Sequence, residues 1–167
     1  VRIETRAGSD AFWRHVIWIA ELGLFIACAQ TGTGSRVMTS PDGINWTPQA
    51  TPADNSWRGL AYSPALGLIV CVASSGTGNR VMTSRNGRDW TIGVSPADND
   101  WSSVCWSPEL SMFVAVAASG TGNRVMSSPD GITWTIQSSA ANNGWIRVTW
   151  AKELGLFVAV GATGIGN

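Results

Sequence analysis

Apolar residues along this chain fall into short runs, separated at regular intervals by Gly, Pro, Asn and Ser. Residues 101–144 show the pattern well. Trp101, Val104 and Trp106 mark a first run of the form W-x-x-[V/L]-x-[W/Y], and S-P-E-L at 107–110 turns the chain into a second, Met112 to Ala118. The polar loop SGTGN leads to a third run, Arg124 to Ser127. A Pro-Asp-Gly turn then opens a fourth, Trp134 to Gln137, and SSAANNG carries the chain to the next Trp. Short runs bounded by turn residues read as strands. No window sustains helical periodicity, and the Gly and Pro punctuation would break a helix.

This unit recurs. Trp13, Trp57, Trp101 and Trp145 are spaced 44 residues apart, as are Trp46, Trp90 and Trp134. Residues 57–100 and 101–144 are identical at 23 of 44 positions without a gap. Four short strands in a period in the forties describe one blade of a β-propeller. The expected fold is therefore all-β, a β-propeller built from 44-residue four-stranded blades, about four per chain, with the last incomplete. The blades are expected at 13–56, 57–100 and 101–144, with a partial fourth at 145–167 and a closing strand at 1–12. A β-solenoid rung fits four distinct turns and unequal strands poorly. The second run, Phe157 to Val160 in the last repeat, is continuously apolar, as suits an inner strand covered on both faces. The periodic tryptophans are expected to pack blade against blade.

The segment V-R-I-E-T at the start aligns with either a third or a fourth strand, so it can complete the last blade. Three routes to closure follow: a four-bladed monomer with one thin blade, a homo-oligomer whose strands complete a larger ring, or additional blades. An unpaired edge would otherwise invite aggregation.

Composition narrows the class. Eleven basic residues balance eleven acidic ones, so no net field draws the chain to nucleic acid or to an anionic membrane. Ten of the basic residues are Arg, the side chain suited to fixed planar contacts, and Lys152 is the sole lysine. No run of eighteen apolar residues predicts a membrane-inserted helix, and no signal-peptide pattern is visible. Cys28, Cys71 and Cys105 occupy three different phases of the repeat, unlike a repeating disulfide framework, and read as buried free thiols.

SPDGINW at 40–46 and SPDGITW at 128–134 resemble the Asp-box, or BNR, motif S-x-D-x-G-x-x-W, with one residue fewer between Asp and Gly. The middle copy, SRNGRDW at 84–90, has Asn86 in place of Asp. The surrounding phrases are similar to tandem repeats of uncharacterised phage, algal-virus and environmental-bacterial proteins. The resemblance implies a propeller whose motif braces the turn between third and fourth strands, opposite the usual ligand face. It gives Asp42, Asn86 and Asp130 a structural role, in keeping with the turn-bracing habit of Asx and Ser side chains.

Catalytic chemistry is not indicated. A sialidase-type site would need a tyrosine nucleophile with a Glu partner, yet Tyr62 is the only tyrosine and no Glu is tied to it by pattern. Glu21, Glu109 and Glu153 share one turn position, so a ring would hold them apart, farther than two-carboxylate hydrolysis allows. His15 is the sole histidine and lacks metal or triad partners. G-T-G-N-R precedes no helix and so reads as a turn, not a phosphate loop. No motif asks for a cofactor or metal.

Binding chemistry has a better candidate. In a propeller, the second-to-third strand loops and the loops between blades emerge on one face. Here they carry Arg36, Arg80 and Arg124; Asp54, Asp98 and Asn142; and Asn55, Asn99 and Asn143. Guanidinium donors beside carboxylate and amide groups, near a Trp rim, suit hydroxyl-rich ligands. The same residue types also make turns, and Arg also stacks on Trp. The expectation is a multivalent, non-catalytic recognition module, glycan- or protein-binding, from a surface or virion-associated protein. A structural docking scaffold and a fragment of an Asp-box glycosidase are the alternatives.

Overall fold

The computed structural model describes residues 11–164. The proposed closing strand at 1–12 therefore lies almost wholly outside the described residues. Fourteen strands, and no helix, make up the described chain. Strands β1 (Trp13–Ile19), β2 (Leu24–Ala29), β3 (Val37–Ser40) and β4 (Thr47–Gln49) form one antiparallel meander. The second contains β5 (Trp57–Ser63), β6 (Leu68–Ala73), β7 (Val81–Ser84) and β8 (Thr91–Gly93). The third is β9 (Trp101–Ser107), β10 (Met112–Ala117), β11 (Val125–Ser128) and β12 (Thr135–Gln137). A two-stranded sheet, β13 (Trp145–Ala151) with β14 (Leu156–Gly161), completes the set.

The third and fourth strands start later than the pattern predicts. Arg124 precedes β11 because its side chain turns back into the loop, and Trp134 precedes β12 because its indole N–H closes the preceding turn on Gly131 O at 3.1 Å. Each first strand also carries a bulge, which accounts for the three-residue step from its leading Trp to the next core position in β5 and β9. Trp13 opposes Ala29 while His15 opposes Cys28, leaving Arg14 extra. The same slip leaves Arg58, Ser102 and Ile146 extra in the other three sheets.

Successive sheets pack in order around a common axis, β1 on β5, β5 on β9 and β9 on β13. Each interface joins the same two surfaces. Leu68, Val70 and Val72 of β6 meet Trp101, Val104, Phe113 and Ala115 of the following blade, all fully buried or nearly so. Leu24, Ile26 and Cys28 meet Trp57, Leu60 and Cys71 in the same way. The turns before β8 and β12 reach back to the preceding blade. Gly87 lies against Ile26, and Gly131 against Leu68 and Val70. Both glycines have φ near +70°, a left-handed conformation that disfavours side chains.

The two outer surfaces lack this cover among the described residues. Leu156, Val158 and Val160, the counterparts of Leu68, Val70 and Val72, are 55%, 45% and 55% exposed. At the other end Val16 is 52% exposed, whereas its counterpart Leu60 is 2% exposed. One outer surface is thus the mate of the other.

The cysteines are free. Cys28 and Cys71 are buried as expected and face each other across the first interface. Burial and the neighbouring Cys28 thiol hold the Cys71 thiol well above its usual range. Cys105, expected to be buried, is only half-buried, because it faces the thin fourth sheet instead of a full blade.

Candidate functional site

Loops that the repeat predicts on one face do come together, and their polar residues bind one another closely. Arg36 donates from Nε to Gly32 O at 2.8 Å and from Nη1 to Gln30 O at 2.9 Å. Arg80 makes the same pair of bonds to Gly76 O and Ser74 O, and Arg124 to Gly120 O and Ala118 O. Each guanidinium thus closes its own second-to-third strand loop by capturing backbone carbonyls. Stacking of these arginines on Trp is not what holds them.

The Asp-Asn pairs between blades act in both directions. Asp54 Oδ1 accepts from Gly34 N at 2.8 Å, in the blade behind it, while Asn55 donates to Asn79 O at 2.9 Å, in the blade ahead. Asp98 and Asn99 repeat this on Gly78 N and Asn123 O, at 2.7 and 2.8 Å. Asn142 Oδ1 accepts from Gly122 N at 2.7 Å, showing that an amide serves as well as a carboxylate here. Asn143 packs with Gly164. Asn55, Asn99 and Asn143 are buried, so of each pair only the first member meets solvent. Asp54 and Asp98 side chains are 41% and 39% exposed and lie 3.7 and 3.6 Å from the Nε of Arg36 and Arg80. Asp100, which the repeat does not flag, adds a 3.3 Å ion pair to Arg80.

The outcome is a rigid polar platform built three times. Thr33, Thr77 and Thr121 stand exposed at its loop tips, beside Asp54, Asp98 and Asn142.

On the opposite face, the Ser-Asp turns are braced as their resemblance implies. Asp42 Oδ1 accepts from the amides of Ile44 and Asn45, both at 2.8 Å, and from Ser40 Oγ at 2.9 Å. Asp130 does the same with Ile132, Thr133 and Ser128, and Asn86 Oδ1 with Arg88 and Asp89. The amides of Asn45 and Ile44, then the Asn45 and Ser40 side chains, hold the Asp42 carboxyl well below the usual carboxylate range. At Asp130 slight burial pushes upward, but bonds from the Thr133 and Ile132 amides outweigh it, and the net shift is downward. Glu109 accepts from Trp150 Nε1 of the next blade at 2.7 Å and pairs with Lys152 at 3.7 Å.

The axis holds a feature that the recurring loop residues do not mark. The bulge after each leading Trp turns the extra residue inward, as bulges re-aim side chains. Arg14, Arg58, Ser102 and Ile146, joined by Arg147, line a cavity of about 200 Å³. His15 lies beside it and accepts from Leu60 N at its Nδ1 (2.9 Å), which fixes a neutral ring with the proton on Nε2. Burial first, and the Arg147 charge second, lower the pKa of His15.

No family model matches the sequence, and no curated protein matches it. Solved structures do. A chain of the nidogen/laminin complex superposes with a TM-score of 0.64 at 14% identity, covering 83% of this chain and 51% of that one. The fold is a β-propeller. A GH74 enzyme of Niastella koreensis gives 0.58 at 18% identity over 82% of this chain and 19% of that one. YCF48 bound to a D1 peptide gives 0.50 at 18% identity over 79% of this chain and 42% of its own. This propeller chain spans about half the length, or less, of each of these neighbours. Among the described residues, no helix is long and apolar enough to cross a membrane, and no cluster of metal-ligating side chains occurs.

Proposed function

We propose that this propeller is a non-catalytic, multivalent recognition module that binds hydroxyl-rich glycans through the loop face. The observation behind this reading is the platform built three times. Its loops are pinned by buried-side hydrogen bonds before any ligand arrives, so little ordering entropy is lost on binding. Exposed Thr, Asp and Asn groups at equal positions offer donors and acceptors to sugar hydroxyls. Three equivalent weak sites gain strength through avidity. In this reading the ligand contacts come from Asp54, Asp98 and Asn142. The arginines Arg36, Arg80 and Arg124, with Asn55, Asn99 and Asn143, hold the platform in shape. The Ser-Asp turns support an Asp-box-type repeat, with its bracing on the far face. The exposed outer surfaces, Leu156 to Val160 at one end and Val16 with Trp18 at the other, support ring completion by a second copy of the chain.

The natural exchange of Asp for Asn at position 142 provides a clean test. Asp54→Asn and Asp98→Asn keep the bond to the glycine amide and remove only the charge and one acceptor oxygen. A glycan array with the wild type should return a coherent set of hits, and the double variant, equally stable, should lose them. Hits retained at full strength by the double variant would refute the assigned contacts. A blank array with the wild type would move the reading to protein docking, the kind of contact made in the nidogen/laminin complex and by YCF48 bound to a D1 peptide.

A further inference from the structure

The axial cavity goes beyond the loop face. Its lining is the four bulged residues with Arg147, so its chemistry depends mainly on one residue per blade while the strands around it stay fixed. Two of the four bulges carry Arg, and the last blade places Arg147 one residue later in the same cavity. Sequence alignment puts Arg14 and Arg58 in phase but Arg147 out of phase, so the trio is visible only in three dimensions.

Three guanidinium groups share this space, those of Arg14 and Arg147 exposed and that of Arg58 half-buried. Among the described residues, no carboxylate lies within ion-pair distance of Arg14, Arg58 or Arg147. The nearest acidic influence is Asp100, which is itself paired to Arg80. Arg58 is half-buried, lines the cavity and is held by its Nε donating to Ser74 Oγ at 2.7 Å. Arg14 rests over the Phe12 ring at 5.5 Å. Desolvation first, then the Arg14 charge, lower the Arg58 pKa against the opposing pull of Asp100. His15, held neutral, adds no charge, and Ser102 Oγ is engaged with Val116 O and Trp145 O. Ile146 is the one apolar residue of the lining.

We propose that Arg14, Arg58 and Arg147 form an axial binding site for a tetrahedral oxyanion, a sulfate or phosphate group. Guanidinium groups arriving from three blades match an anion with oxygens on several sides, whereas a carboxylate is satisfied by one planar fork. Binding relieves the mutual repulsion of the arginines.

The test is calorimetric titration of the full chain with inorganic sulfate, inorganic phosphate, acetate and galactose 6-sulfate, at constant ionic strength set with chloride. Sulfate or phosphate should bind at one site per axial cavity and more tightly than acetate. Galactose 6-sulfate binding above inorganic sulfate names an ester as the ligand group, and the reverse order names the free anion. Arg14→Gln and Arg58→Gln should each weaken binding about tenfold or more, the loss expected for a charge-assisted bond. Arg88→Gln, an exposed arginine on the far face, should leave it unchanged. Stronger acetate binding, no binding by the folded wild type, or equal losses from Arg88→Gln and Arg58→Gln would each overturn the site. Failure of the glycan array would leave this proposal standing, because the two sites share no residue.

Discussion

Replacement of one turn glycine at a time by alanine separates the cost of a backbone conformation from the cost of an interface. Gly43, Gly87 and Gly131 occupy the same turn with φ of +73°, +72° and +74°. Any side chain there costs about 1–2 kcal/mol through the left-handed backbone. The surroundings differ. A Cβ at Gly43 would meet only Phe25 of its own blade, at 3.4 Å, since no blade precedes it among the described residues. A Cβ at Gly131 would stand 2.7 Å from Leu68 Cδ2 and 3.0 Å from Val70 Cγ2 of the blade before it, besides 3.2 Å from its own Phe113. Gly87 falls between, with Ile26 Cδ1 at 2.6 Å, the far end of one side chain. Overpacking of this kind typically costs about 1–3 kcal/mol. Gly43→Ala should therefore cost about 1–2 kcal/mol, and Gly131→Ala about 2–5 kcal/mol, with Gly87→Ala intermediate. Urea unfolding followed by Trp fluorescence, with the slope checked for constancy, measures the series. Equal losses at Gly43 and Gly131 would refute the claim that these turns key into the preceding blade.

Other predictions rest on differences between copies. Trp106 Nε1 is buried without a partner, whereas Trp150 Nε1 donates to Glu109; Ala65 stands where that glutamate would be, so Ala65→Glu should stabilise by about 1 kcal/mol in the same assay. The depressed folded-state pKa values of Asp42 and Asp130 add stability that is present above the ordinary carboxylate pKa and lost as pH falls below it. Replacing both with Asn, the residue that braces the middle turn, should flatten the fall in urea midpoint on the acid side of about pH 4. Burial pushes the Cys105 thiol up to about 12 and also raises that of Cys71, so Ellman's reagent at pH 8 should react slowly with native protein and promptly with three thiols in urea. Arg80→Ala should loosen the 74–80 loop and cost about 1.5–3 kcal/mol, read as faster amide exchange there.

The architecture could be read in advance because Trp, Gly and the polar loops repeat without gaps, and a blade is the smallest unit that such a period describes. Asp42 and Asp130 were legible for a related reason: their partners lie two or three residues away, inside the motif itself. The loop arginines were legible as a recurring set but not in their use. Arg36, Arg80 and Arg124 bind backbone carbonyls, which every residue owns, so no sequence signal separates loop closure from ligand contact. The buried state of Asn55 and Asn99 is hidden likewise, since their partners lie 24 residues on, in the next blade. The axial arginines escaped notice because a bulge, not a periodic pattern, directs them inward.

The keyed turns also bear on how such a chain can change in length over generations. Every junction joins one kind of surface to its mate, so a copy gained or lost by unequal genetic exchange leaves the junctions on either side matched. The cysteine that stands in one blade and the valine that stands in the next show that the mated surfaces tolerate drift in detail, provided the glycine knob and its socket persist. Copy number is then freer to vary than the sequence of any single knob, and lineages carrying this unit should differ first in how many they contain.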